Sequence, residues 1–432
     1  AMDGKELVEK LAKLSQVQSI KDIPQLTHAL FPGTHCPLMG AAMAVGGIKD
    51  SLIVVVGTDE CTYYTKSMTI HSEKFGGIDG RCVSVVLDDH DVTFGSAEKV
   101  QEAFKEIIEE YRPQCVFLVT TCVIEIIGDD FDAISEGLSK LYGIPVLPVH
   151  TEHFKCEDHL PGLERTITVC AEMMKSCDCE NSVNLLGQRM GDFATTELYA
   201  MLQKAGVKIG LQLPCGCSVD DIKNAAAAKV NIVVNDIALP LAQKMQEKFG
   251  IPYVYFNKFV IPEKIYEAYK NLFVYLDLEL PGELEGLYQN AREKIEKNKG
   301  ELEGITYIYG NTPYAVFEMN CFLSSLGMVP QVIQTNRYTE ADEPYAKEIL
   351  QYTDPYVCKA ANIAPLQYVY DVLSPYLYLG HEFGNRLRQK GIAIVDSDRA
   401  SGMLGFEVTG YLLQQLVKSV REAKEYRKEL GL

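Results

Sequence analysis

The chain has 432 residues, 47% hydrophobic and 23% charged, with 41 basic against 59 acidic side chains and a formal net charge of −18. That is material for several buried cores and two to four domains of ordinary size. The acidic balance argues against nucleic-acid binding and against anionic lipid, both of which ask for a basic surface.

In chain order, Lys5 to Ser15 reads as a short charged amphipathic helix, unlike the apolar run of a signal peptide. No stretch approaches the roughly 20 uninterrupted apolar residues of a membrane span. The expectation is therefore a cytoplasmic protein with no membrane partner. Short β-branched runs then alternate with amphipathic segments. Ser51–Thr58, Arg81–Leu87, Cys115–Thr120 and Ile144–His150 read as buried parallel strands. Between them Ser96 is the natural N-cap of a helix whose apolar face includes Val100, Phe104 and Ile107, with Pro113 as its stop.

The pattern restarts with strands at Ser182–Gly187, Val207–Leu213, Val230–Asn235 and Ile251–Phe256, and a helix from Ala194 to Lys204 closed by Gly206. Pro281–Gly304 reads as a long solvated helix. A third set follows at Ile305–Gly310, Met328–Thr335, Tyr376–Gly380 and Ile392–Asp396, and a last helix runs from about Gly405 to the end. The alternation predicts an α/β protein of three doubly wound (Rossmann-like) parallel-sheet domains with a cavity between them. The expected boundaries are 1–20 for the N-terminal helix, 21–178 for domain I, 179–300 for domain II and 301–432 for domain III.

Thirteen cysteines, an odd number, point to metal or redox chemistry more than to a disulfide framework. Three of them occupy places where open α/β sheets bind ligands, beyond the carboxyl ends of strands. Cys36 stands in Gly33-Thr34-His35-Cys36-Pro37, entering a helix of small residues. Cys61 follows the strand 51–58, and Cys122 follows the strand 115–120 in Thr121-Cys122-Val123-Ile124-Glu125-Ile126-Ile127-Gly128-Asp129-Asp130. Three thiolates leave an iron–sulfur cluster one ligand short, so a second chain, or a carboxylate such as Asp59 or Glu60, would complete it.

With those spacings the sequence resembles the nitrogenase component 1 superfamily, which includes the molybdenum–iron protein subunits, their cofactor-assembly scaffold and the dark-operative protochlorophyllide reductases. Its most specific part is Thr121-Cys122 followed by Ile127-Gly128-Asp129-Asp130. The resemblance implies that Cys36, Cys61 and Cys122 bind an interface cluster, either 4Fe-4S or half of an eight-iron, P-cluster-like 8Fe-7S centre. It also implies a dimer, with itself or in a heterotetramer with a paralogous subunit, and an ATP-hydrolysing iron protein as electron donor. The chain itself has no G-x-x-x-x-G-K-[ST] phosphate loop. The cysteine that anchors the nitrogenase cofactor is replaced here by Asn235, and no histidine follows His381. No iron–molybdenum cofactor is therefore expected. The implied function is a nitrogenase-like reductase of a substrate other than dinitrogen. The alternative is a scaffold that assembles or carries a metallocluster.

Secondary candidates surround the expected cavity. Cys215 and Cys217 precede a helix opened by a Ser218/Asp221 capping box, where a thiolate would be stabilised, and would bind a second cluster or an organic substrate. His153 and His159, on the segment leaving the fourth strand, are candidates for proton delivery.

Overall fold

The computed structural model describes residues 3–26, 35–70, 81–359 and 363–432. Gly33 and Thr34 of the Cys36 motif lie outside them. A helix spans Gly4–Glu9 and is followed by strand β1 (Ala12–Lys13), so the expected helix to Ser15 is shorter than its pattern suggested. The remainder of that segment pairs instead with the edge of a distant sheet.

After β2 (Ile48–Lys49) come β3 (Ser51–Gly57), β4 (Cys82–Val86), β5 (Cys115–Thr120) and β6 (Val146–Val149). They form a parallel sheet in the order β4-β3-β5-β6. Every residue of β3 and β5 is buried, as continuous apolar strands covered on both faces must be. A second parallel sheet holds β7 (Ser182–Gln188), β8 (Lys208–Pro214), β10 (Val230–Val233) and β11 (Tyr253–Tyr255) in the order β11-β10-β7-β8. The short β9 (Cys217–Ser218) pairs with β2 and ties the first two sheets together.

The third sheet contains β12 (Thr306–Tyr309), β13 (Val329–Gln334), β14 (Tyr356–Cys358), β15 (Leu377–Leu379) and β16 (Ala393–Val395). Its order is β1-β14-β13-β12-β15-β16, with β1 as the single antiparallel member. β14 and β1 were not anticipated. Three and two residues long, they carry too little periodicity to register.

The helix Ala97–Tyr111 buries Val100, Phe104 and Ile107 as its pattern predicted. Ser96 does not cap it through its side chain; its amide and hydroxyl both donate to Asp129, at 2.8 and 2.6 Å. The carboxylate offers a stronger, charge-assisted bond than the helix amides could. The closing helix runs Phe406–Leu430. No helix among the described residues is long and apolar enough to cross a membrane.

Strand order reverses at one point in each sheet, and such switch points open a crevice at the carboxyl ends of the strands. In the first sheet the reversal falls between β3 and β5, and in the second between β7 and β10. The close approach of two helices sets these crevices beside each other. A Cβ on Gly40 would lie 1.9 Å from the His159 carbonyl oxygen, and one on Gly162 would lie 1.8 Å from that of Pro37. Only glycine permits this backbone contact between Pro37–Gly46 and Leu160–Val169.

Candidate functional site

All three predicted cluster thiols stand at helix N-termini. Cys36 is the N-cap of Pro37–Gly46, Cys61 lies in the first turn of Asp59–Ile70, and Cys122 begins Cys122–Ile127. Free amides and the helix dipole favour negative charge at such places. Cys61 and Cys122 follow β3 and β5, the neighbours across the first switch point. The Thr121 hydroxyl donates to the Val56 carbonyl at 2.9 Å, binding the start of the Cys122 helix to the end of β3. The Thr58 hydroxyl reaches the Cys61 sulfur at 3.6 Å.

Cys36 joins them through its neighbour: His35 Nδ1 and the Tyr64 hydroxyl are hydrogen-bonded at 2.5 Å, and Tyr64 lies one turn beyond Cys61. Burial and, behind it, the Cys36 charge push the Tyr64 hydroxyl up. Burial likewise raises the Cys122 thiol, with the Cys61 charge next and the Val123 amide opposing. Cys61 and Cys122 are therefore within electrostatic reach of each other, Cys36 is within reach of Tyr64 on the Cys61 helix, and all three thiols are partly exposed and free of disulfides. They are not the compact group that would hold one ion. Among the described residues the trio within 4.8 Å is Asp88, His90 and Asp91, where Lys99 already supplies the positive charge at 2.6 Å from Asp91. A donor set of three accessible, unpaired thiols fits an iron–sulfur cluster.

The secondary candidates separate. Cys217 belongs to the apolar core shared by the first two sheets, 2% exposed, with burial pushing its thiol to about 12. It does not face an open site, which corrects the expectation for this residue: β9 is drawn inward by pairing with β2. Cys215 is half-buried at the opposite end of the Pro37–Gly46 helix from Cys36, where Gly47 abuts the Pro214 carbonyl. Burial raises its thiol, followed by the charge of Asp192. The amide of His153 donates to Glu125 at 3.1 Å, so this residue sits against the Cys122 helix.

His159 lies between the cysteines and the second switch point. Its ring is 6.2 Å from that of His35, and its Nε2 accepts a hydrogen bond from Arg189 at 3.1 Å. Burial and then the Arg189 charge depress it to about 4. It is neutral near pH 7, with its proton on Nδ1. The expected proton carrier is thus a hydrogen-bond acceptor that holds a guanidinium.

Arg189 was missed from sequence. It leaves β7 directly, opposite the segment that leaves β10 with Asn235 and Asp236. Asn235 caps its own turn by accepting from Ile237 at 3.1 Å, and a Cβ on Gly187 would meet it at 3.0 Å. Gly191 abuts Gly402 of the third-sheet unit. Arg337, just after β13, is felt at His159, Glu164, Asp236 and Asp342. Burial raises all three carboxyls, and Arg337 draws them back down. Asp236 is exposed to solvent and yet crowded enough for burial to dominate its titration. Segments from all three sheets therefore meet at one polar junction, with Cys36 and His35 on its near side.

A cavity of about 430 Å³ lies elsewhere, among the helices Glu197–Lys204, Glu283–Leu302 and Phe406–Leu430. Met403, in the turn before the closing helix, also lines it. Its wall is built by two carboxylates that cap each other's helices. Glu197 accepts from the Phe406 and Glu407 amides at 2.9 and 3.0 Å, and Glu407 accepts from the Glu197 amide at 3.2 Å.

The profile of the family described as nitrogenase component 1 type oxidoreductase matches residues 36–421. The nitrogenase iron-molybdenum cofactor biosynthesis protein NifE of Clostridium pasteurianum is 30% identical over 224 residues, 51% of this chain and 49% of its own length. The chain thus matches about half of that relative. The nitrogenase molybdenum-iron protein alpha chain of Methanosarcina barkeri is 24% identical over 332 residues, 73% of this chain and 62% of its own. Among solved structures, nitrogenase Cp1 at pH 6.5 superposes with a TM-score of 0.76 at 15% identity, covering 92% of this chain and 94% of that one. That likeness is one of fold.

Proposed function

The chain belongs to the nitrogenase component 1 type oxidoreductase family, and on that premise we propose that it is the iron–sulfur subunit of a nitrogenase-like reductase. The observation that carries the reading is the placement of Cys36, Cys61 and Cys122 at three helix N-termini around one switch point. When bound, the cluster supplies one-electron transfer. The chain's own residues do the rest. Helix amides favour the thiolate forms, Thr121 fixes the Cys122 turn to β3, and the His35–Tyr64 bond fixes the Cys36 turn to the Cys61 helix. Substrate occupies the junction beyond His159, and an ATP-hydrolysing iron protein delivers the electrons.

A second chain, this one or a paralogue, completes the cluster. The apolar surface around the cysteines supports that reading. Tyr63, Phe94, Ile126 and Phe154 are 69–77% exposed on the helices and the turn that carry or adjoin the thiols. Exposed apolar groups gathered in one region mark interaction sites. Asn235 and the histidine-free stretch after His381 offer no soft anchor for an iron–molybdenum cofactor, so the reduced substrate is not dinitrogen.

The similarity to NifE favours a second reading, a scaffold that carries a metallocluster and hands it on. Mixing the loaded chain with the iron protein and MgATP separates the two. The reductase shows ATP-dependent reduction of its cluster, followed optically. The scaffold shows none and passes iron to an apo acceptor. A chain that does neither contradicts both readings.

A further inference from the structure

We infer that the junction recognises an oxyanion group, carboxylate or phosphate, on its ligand, with Arg189 as anchor and His159 as the residue that positions it. The inference rests on the reading of the junction as the substrate site, and it adds the chemical class of what binds there.

Arg189 is largely enclosed, and burial lowers its guanidinium's affinity for its proton, with only Asp158 acting in the other direction. A buried guanidinium is almost always matched by a carboxylate. This one has no ion pair among the described residues. Its hydrogen bond there is to the uncharged Nε2 of His159. None of its other nitrogens is a sealed, unsatisfied atom, so those left without partners open onto solvent within the junction. The arrangement keeps a cation desolvated and oriented, with the Asp158 charge nearby but no carboxylate at ion-pair distance among the described residues. That costs free energy in the empty protein and is recovered when an anion arrives.

His159 suits this task because it is neutral. An imidazolium would repel the guanidinium, whereas neutral Nε2 accepts one N–H and leaves the rest of the planar fork free. The His159 backbone is itself fixed by the glycine contact with Pro37–Gly46. Arg337, exposed on the loop after β13 and without an ion pair among the described residues, contributes a second positive charge from the third sheet. Asp236, Glu164 and Asp342 stand on the same walls. They act on Arg337, whereas the carboxylate charge felt at Arg189 is that of Asp158, so an anion is favoured on the Arg189 side.

The test is isothermal titration of the anaerobically purified full chain with succinate and, separately, with inorganic phosphate. Iron and sulfide are measured on the same samples. Saturable binding of either probe is expected, and which one binds tells a carboxylate ligand from a phosphate ligand. Arg189→Met should weaken it at least about tenfold, as losing a charge-assisted pair does. Arg189→Lys should fall between, because it keeps the charge and loses the fork. His159→Gln, whose amide oxygen can still accept, should bind as the parent does, whereas His159→Leu should weaken binding several-fold. Should Arg189→Met fail to fold, the contrast between Gln and Leu at 159 decides. Absence of binding to both probes overturns the inference, as does an Arg189→Met protein that binds undiminished. Because iron is scored independently, loss of oxyanion binding in a cluster-loaded chain leaves the reductase reading standing. Oxyanion binding in a chain that takes up no iron does the reverse.

Discussion

Replacing His159 by Gln changes how stability depends on pH, and the size of the change follows from the structure. Burial, the Arg189 charge and the more distant His35 and Arg337 all disfavour the imidazolium, while Asp158 opposes them, and the folded-state value falls to about 4 from 6.5. Between those two values the unfolded chain binds a proton at this position and the folded chain does not. Stability therefore rises with pH across the window and is lost as pH falls from 6.5 towards 4. At about 1.36 kcal/mol for each pH unit between those values, the loss amounts to about 2–3 kcal/mol for a side chain that keeps some solvent contact. Glutamine accepts the Arg189 hydrogen bond without titrating, so the variant lacks this loss. In urea titrations the stability difference between parent and variant should widen steadily in the variant's favour from neutral pH to about 4. Curves that stay parallel over the window would show that His159 is not held neutral by its surroundings, and its place as acceptor for Arg189 would fall with it.

Glu197→Ala removes the acceptor shared by the Phe406 and Glu407 amides and the Tyr269 hydroxyl. It should destabilise the chain by about 2–4 kcal/mol in urea; a loss below about 0.5 kcal/mol would contradict the reciprocal capping. Gly57→Ala places a Cβ 2.1 Å from the Thr121 hydroxyl. The displaced turn should lower iron retention more than it lowers the urea midpoint, whereas unchanged iron would count against Thr121 as the fixing contact. Cys217→Ser puts a hydroxyl into an apolar core and should cost about 1–3 kcal/mol. Its iron content should equal that of the parent, since this thiol does not face the site.

Much of the fold can be read from period and run length. β3 and β5, seven and six residues long with five apolar residues in an unbroken run in each, are buried end to end, and such strands announce both themselves and the helices that cover them. β14 is three residues long, and β1 exists only because a distant edge is available to it; neither has a local signature. The cysteines of the candidate site stand out because a rare residue type follows strands at a spacing that a family uses. Arg189 does not stand out. One arginine after one strand carries no pattern, and its importance comes from β10 lying beside β7 and from His159 arriving on another sheet's helix. Cys217 misled for the same reason: its loop reads as open until β9 is seen to pair with β2.

The central claim is that Cys36, Cys61 and Cys122 together hold an iron–sulfur cluster. Iron and acid-labile sulfide per chain, measured after anaerobic purification of the parent, of each single Cys→Ala variant and of Cys177→Ala, test it most directly. The account predicts iron and sulfide in near-equal amounts in the parent and in Cys177→Ala, with loss of both in each of the three site variants. Full iron content in Cys122→Ala would contradict it.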